Sequence, residues 1–100
     1  FLQGLLLMPR IKTPSKFNRW SKIWDCWTQE LKKNNLNAAS VCLSYPLSLP
    51  EVSRVIIGVD NLNQFKSLIS ASNINLEKKD WSFMKSLDVK LINPSNWKDL

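Results

Sequence analysis

Large apolar side chains recur at steps of three and four residues along the first third of the chain. They are Phe17, Trp20, Ile23, Trp24, Trp27 and Leu31. This spacing puts them on one face of a helix and predicts an α-helix over residues 16–33, with Ser15 as its cap. Similar patterns predict helices over residues 38–48, 62–72 and 78–87, the first of these three capped by Asn37 and ended or kinked by Pro46.

Two shorter apolar runs predict β-strands at Leu2–Leu7 and Arg54–Gly58. Val55, Ile56 and Ile57 are β-branched, form too short a run for a helix, and suit a strand buried on both faces, as in a parallel sheet. The order β, α, α, β, α, α with a long link favours two short parallel strands joined by a right-handed crossover. The predicted fold class is α/β, and the irregular tail over residues 88–100 should pack down through Leu91, Ile92 and Trp97.

A glycine-bearing turn joins the second predicted strand to the third predicted helix. Gly58 ends the strand, Asn61 is placed to cap the helix, and Gln64 to reach back to the amide of Asn61. Free backbone N–H groups at a helix start, next to a glycine that lets a ligand approach, are suited to a phosphate or another anion. Most turns of this kind bind nothing, so a plain structural turn is the alternative.

The net charge of +6 suggests a second class of function. Arg10, Lys12, Lys16, Arg19 and Lys22 all precede the first acidic residue, and tryptophans alternate with them. This arrangement allows a nucleic-acid-binding surface, but the tryptophans share a face with aliphatic residues and so predict a core. A third alternative is a non-catalytic interaction module with exposed apolar faces.

Composition excludes several classes of protein. A hydrophobic content of 44% with five tryptophans favours a folded core over disorder. Histidine is absent, and Cys26 and Cys42 lie in predicted helices without CxxC spacing, so buried free thiols are expected and no metal site. Because no apolar run approaches the ~18 residues of a membrane span, we expect a soluble, cytoplasmic protein.

Several loose motifs in order resemble one protein family. They are the segment AASVCLS at residues 38–44, which is close to a helix of type AL-x-x-x-LS, a proline link at Pro50, the strand motif VI-x-G ending at Gly58, a helix bearing Gln64 and Leu68, an opening FLQGLL, and a closing LINP with Trp97. Together they are similar to the end of an aldo/keto reductase. The resemblance covers nearly the whole chain.

This resemblance implies that residues 1–100 are a single C-terminal fragment, the last quarter of a (β/α)8 barrel from strand seven to the tail. A complete barrel needs ~250 residues, and the chain opens at Phe1 without an initiator methionine. The parent would reduce a carbonyl substrate with NADPH or NADH. The family's catalytic Asp, Tyr, Lys and His belong to earlier strands, so no catalytic residue is expected here, and the fragment alone should be inactive. Its partner would be the remainder of the barrel.

In the family, this part of the barrel binds the cofactor. The resemblance assigns Gly4 and Leu5 to the end of strand seven, and Gly58, Asp60, Asn61 and Gln64 to strand eight and its helix. Asp60 stands where the family often has Arg or Ser, and a carboxylate repels a 2′-phosphate. The preference between NADP and NAD stays open, since Asp60 is also suited to bonding a ribose hydroxyl, or is simply a favourable charge at a helix start. Tight cofactor binding by the fragment is not expected.

Overall fold

The computed structural model of the chain describes residues 2–72 and 80–100, the side chain of Leu2 excepted, and these residues form two compact units. Unit 1 comprises residues 2–35 and 80–100, and unit 2 comprises residues 36–72. Predictions that fall on residues 1 and 73–79 lie outside the described residues.

Unit 1 is built mainly from helical segments at both ends of the chain. Its principal helix, α1, spans Ser21–Lys33 and directly follows a 3-10 helix at Ser15–Trp20. The predicted helix over residues 16–33 is therefore confirmed, with a tighter first part. The predicted cap is wrong, because Ser15 lies inside the 3-10 helix and Pro14 precedes it without a side-chain cap. Shorter helical segments complete the unit. They are 3-10 helices at Leu2–Leu7, Arg10–Lys12, Ser82–Met84 and Pro94–Asp99, and the short α-helix α4 at Val89–Ile92.

The apolar stripe of α1 and of the 3-10 helix before it forms the core of unit 1, as predicted. Phe17 and Trp24 are each 1% exposed and pack with their ring centroids 5.8 Å apart. Leu5 and Leu91 join them at 4% and 2% exposure, so residues from both ends of the chain close this core. Burial of each such side chain stabilises the folded state by roughly 1.5 to 3 kcal/mol.

The tail packs down, as predicted, although it is more regular than expected. Trp97 meets Phe17 edge to face at 5.0 Å between ring centroids, and its Nε1 donates to the Leu91 carbonyl at 2.9 Å. Leu91 is buried, whereas Ile92 is 47% exposed. The tail contains α4 and a 3-10 helix, since Asp88 caps α4 by accepting from Lys90 N–H, and Asn93 caps the 3-10 helix.

The predicted helix over residues 78–87 is wrong where the structure describes it. Residues 80–87 contain a single 3-10 turn, Ser82–Met84. Asp80 accepts a hydrogen bond from Ser82 N–H at 2.8 Å, and such a local turn competes with helix formation. Leu87, which was expected on an apolar helix face, is 93% exposed.

Unit 2 contains two helices, α2 at Ala38–Leu47 and α3 at Leu62–Ser72. Both agree closely with prediction. Asn37 caps α2 by accepting from Ser40 N–H at 3.2 Å, as expected. Pro46 lies in the last turn of α2, which ends one residue later.

Both predicted strands are wrong, and with them the parallel pair and its crossover. A strand is held by hydrogen bonds to its neighbours, and the described residues include no strand that would pair with either segment. Leu2–Leu7 forms 3-10 turns instead, kinked at Gln3 and Gly4, whose φ angles of 54° and 83° are left-handed. Residues 54–58 have no regular secondary structure, and Ile56 is 98% exposed.

Candidate functional site

The turn that was predicted to suit an anion lies at the start of α3. Asn61 caps the helix by accepting from Gln64 N–H at 2.9 Å, as predicted. The side chain of Gln64 folds back, and its Oε1 accepts a hydrogen bond from Asp60 N–H at 2.8 Å. The predicted donor was the N–H of Asn61, one residue later. Two reciprocal bonds thus fix residues 60–64 in a tight, ordered turn.

This arrangement leaves three backbone donors at the helix start. In an α-helix the first four N–H groups have no partner within the helix. The Gln64 N–H is taken by Asn61, whereas the N–H groups of Asn61, Leu62 and Asn63 are left to solvent or to a ligand. Because the helix dipole is positive at this end, these donors favour an anion.

The surroundings of this turn are open. Asp60, Asn61 and Gln64 are exposed. A side chain built onto Gly58 would meet nothing within 4 Å, and its φ angle is not left-handed. The packing of the chain itself therefore does not require a glycine at position 58, whereas close approach of a ligand would.

Asp60 is the feature that does not suit a phosphate. Its carboxylate is exposed and lies one residue before the Asn61 cap, where it would repel a phosphate dianion. The same group suits a ribose hydroxyl, which donates a hydrogen bond to a carboxylate. Asp60 therefore suits an unphosphorylated ribose better than a phosphorylated one.

The two remaining predicted site residues, Gly4 and Leu5, belong to unit 1, whereas residues 58–64 belong to unit 2. Gly4 has a φ of 83°, which favours glycine. Leu5 is 4% exposed within the aromatic core, so its side chain is not available to a ligand. Only its backbone remains for the predicted role.

A hollow in unit 2 was not predicted. It has a volume of about 460 Å³ and lies along α2 and α3, where Lys66, Ser67 and Ser70 contribute its polar lining. Ser40 of α2, which is 3% exposed, lies at its wall. Small residues at three- and four-residue steps, Ser67, Ser70 and Ala71, are the sequence signal for a helix face that leaves such a space.

The two cysteines differ from each other. Both are free thiols, but Cys42 is buried, as predicted, whereas Cys26 is exposed, contrary to prediction. Burial raises the pKa of the Cys42 thiol to about 11, so it is protonated at neutral pH and is a poor nucleophile.

Among the described residues no three potential metal-ligating side chains come together. In the same part of the chain, no helix has the length and apolarity needed to cross a membrane.

The tryptophans that alternate with basic residues are core residues. Trp20, Trp24 and Trp27 are 9%, 1% and 5% exposed. They do not form a platform on which bases could stack, which removes the aromatic half of the nucleic-acid interpretation.

Comparison with known proteins identifies a family. The family model for the aldo/keto reductases matches residues 10–89, which is 80 of the 100 residues. The match includes the turn at residues 58–64 and excludes Gly4 and Leu5. No curated protein and no solved structure shows a significant match to the chain.

Proposed function

The chain belongs to the aldo/keto reductase family, and we propose that it is the C-terminal, cofactor-binding part of a reductase that acts on a carbonyl substrate with NADH or NADPH. The family has the fold of a (β/α)8 barrel and the activity of an oxidoreductase. In barrels of this type the loops after strands seven and eight commonly bind phosphate groups.

The observation that carries this proposal is the start of α3. It combines a tight capped turn, three free N–H donors and an open glycine within seven residues, all inside the matched region. The capping bonds stabilise α3 itself, whereas packing does not explain the glycine, since residues 58–64 are exposed and Gly58 has open space around it. Close approach of a ligand gives that glycine a role.

The proposed roles follow from the chemistry of each group. The N–H groups of Leu62 and Asn63 would hold the phosphate of the adenosine half, Gly58 would admit it, and Asp60 would accept from the ribose. Gln64 offers its carboxamide NH2 as a further donor, since its Oε1 already accepts from Asp60 N–H. When bound, the nucleotide would supply a hydride, and these residues would position and orient the nucleotide by its adenosine half.

Exchange of the charge at position 60 tests the proposal. In an intact barrel that contains this chain, Asp60→Arg should shift the preference from NADH toward NADPH by roughly fivefold, because Asp60 is exposed and water screens the charge. Glu51→Arg, which makes the same exchange at an exposed position in unit 2, should leave the preference unchanged. Titration of both variants with both nucleotides measures this preference. If the two variants change it equally, Asp60 does not contact the nucleotide and acts only as a favourable charge at the start of the helix. Gly58→Ala should weaken binding of both nucleotides without changing stability.

The chain alone is proposed to lack reductase activity. It contains no histidine and a single tyrosine, Tyr45, so the set of Asp, Tyr, Lys and His that the family uses is not complete in this chain. Incubation with NADPH and a carbonyl compound should leave the cofactor unoxidised.

A second candidate function, an interaction module, is favoured by the exposed apolar residues of unit 2. Ile56 is 98% exposed, and Leu62, Phe65 and Ile69 are 64%, 46% and 46% exposed. In the proposed parent, the remainder of the barrel would cover these side chains. The two functions differ in what covers this apolar surface. In the reductase it would be another part of the same barrel, and in the interaction module it would be a separate protein.

A further inference from the structure

A second cleft, in unit 1, lies where the 3-10 helix at Ser15–Trp20 meets the C-terminal tail. It has a volume of about 500 Å³ and is lined by Lys16, Arg19, Lys90, Asn96 and Asp99, with Val89 and Leu100 as apolar walls. Clefts of ~300 to 1,000 Å³ are of the size that holds small molecules. Three cations, Lys16, Arg19 and Lys90, stand against the carboxylate of Asp99 in the cleft and that of Asp88 beside Arg19, so the positive charges exceed these carboxylates by one.

Two of the three cations are held in place by the fold. Lys16 Nζ donates to the Trp97 carbonyl at 2.8 Å, which uses one of its three protons and leaves two. The guanidinium of Arg19 lies 4.7 Å from the centre of the Trp20 ring, and its Nη2 is 3.8 Å from Asp88 Oδ2. Because these contacts reduce the freedom of both side chains, less entropy is lost when they bind a ligand.

The other polar groups of the cleft suit a ligand that also carries hydroxyl or apolar parts. Asn96 donates through Nδ2 to the Val89 carbonyl at 3.0 Å, which leaves its Oδ1 as an acceptor. Asp99 adds a second acceptor, and Val89 and Leu100 offer apolar contact.

We propose that this cleft binds a small organic phosphate, with the phosphate among Lys16, Arg19 and Lys90 and the organic part against Val89 and Leu100. The three cations offer charge-assisted hydrogen bonds to the phosphate oxygens, which a neutral ligand cannot accept as strongly. The site lies in unit 1 and is independent of the turn at residues 58–64, and it extends past the matched region into residues 90–100.

The probes are inorganic phosphate and phenyl phosphate, titrated into the isotope-labelled chain while backbone amide signals are recorded by NMR. Phosphate should bind with a Kd of roughly 1 to 10 mM. Phenyl phosphate should bind about three- to tenfold more tightly, because its ring contacts the apolar walls. The signals that shift should belong to residues 16–19 and 89–99.

Three variants make the test specific. Lys90→Gln should weaken the binding of both probes about three- to tenfold, and Asp99→Asn should strengthen it about threefold. Lys98→Gln removes the same charge from the same tail outside the cleft and should leave both affinities within twofold of the original. Equal losses for Lys90→Gln and Lys98→Gln would show a diffuse charge effect and overturn the proposal. Shifts confined to the start of α3 would overturn it too, by placing the anion in the other site.

Discussion

At the residue scale, two tryptophans of α1 differ in whether their indole N–H is satisfied. Trp27 Nε1 donates to the Leu6 carbonyl at 2.9 Å, whereas the buried Trp24 Nε1 has no partner among the described residues. The change to phenylalanine removes similar volume at both sites. At Trp24 the change also removes an unsatisfied donor, whereas at Trp27 it leaves the Leu6 carbonyl without its hydrogen-bond donor.

We therefore expect Trp24→Phe to destabilise the chain by about 1 kcal/mol less than Trp27→Phe. Urea denaturation followed by far-UV circular dichroism gives both free energies of unfolding. A larger loss for Trp24→Phe would mean that packing at the centre of the core outweighs the hydrogen bond.

Asp88 should make the stability of unit 1 sensitive to acid. Its Oδ1 accepts from Lys90 N–H at 3.0 Å and its Oδ2 from Trp20 Nε1 at 3.0 Å. The backbone hydrogen bond from Lys90 is the main cause that lowers the pKa of Asp88, and Trp20 and Arg19 add to it. A carboxyl group with a depressed folded pKa contributes stability above its unfolded pKa of ~3.9, and this stability is lost as pH falls through the folded value.

Asp88→Asn should accordingly lower the urea midpoint at pH 7 and reduce the fall in that midpoint below pH ~4. The measurement is the urea midpoint of both proteins across the acid range. Parallel curves for the two proteins would contradict the assignment.

At the element scale, the caps of α2 and α3 were predictable because each depends on residues within four positions. Asn61→Ala should cost about 1 kcal/mol by removing the acceptor for Gln64 N–H. Asn63→Ala, two residues further on and exposed, should be neutral or slightly stabilising, since alanine favours a helix interior. Hydrogen exchange at the α3 amides tests this, and similar exchange in both variants would show that the cap contributes nothing.

The elements that sequence analysis placed wrongly depend on distant neighbours. Val55, Ile56 and Ile57 have the side chains of a buried strand, but a strand needs a pairing partner that local pattern does not supply. At Trp81 and Met84 the helical spacing was genuine, yet the Asp80 turn to Ser82 N–H interrupts the helix. The same limit applies to the cleft of unit 1, where Lys16 and Lys90 are 74 positions apart. For the start of α3, by contrast, the capping pattern predicted the turn and Asn61 correctly.

At the scale of the whole molecule, two isoleucines allow the apolar surface of unit 2 to be tested. Ile11 and Ile56 are 93% and 98% exposed. Ile11 stands between Arg10 and Lys12, whereas Ile56 stands among Val55, Ile57 and Val59. We expect the chain to self-associate as its concentration rises, and Ile56→Lys, but not Ile11→Lys, to weaken this. Sedimentation velocity measures the effect, and equal behaviour of the two variants would exclude residues around Ile56 as the contact.

The joining of both chain ends in unit 1 has a consequence for how the protein is made. Leu91 completes the core around Phe17, and Trp97 accepts the bond from Lys16, which lies 81 residues earlier. At ~5 to 20 residues per second, a ribosome needs roughly 4 to 15 s to translate from Phe17 to Leu91. During that interval Phe17 and the rest of the aromatic face lack the tail residues Leu91 and Trp97 that cover them. The core of unit 1 can therefore be completed only after the tail has been synthesised, and until then its largest apolar surface is exposed.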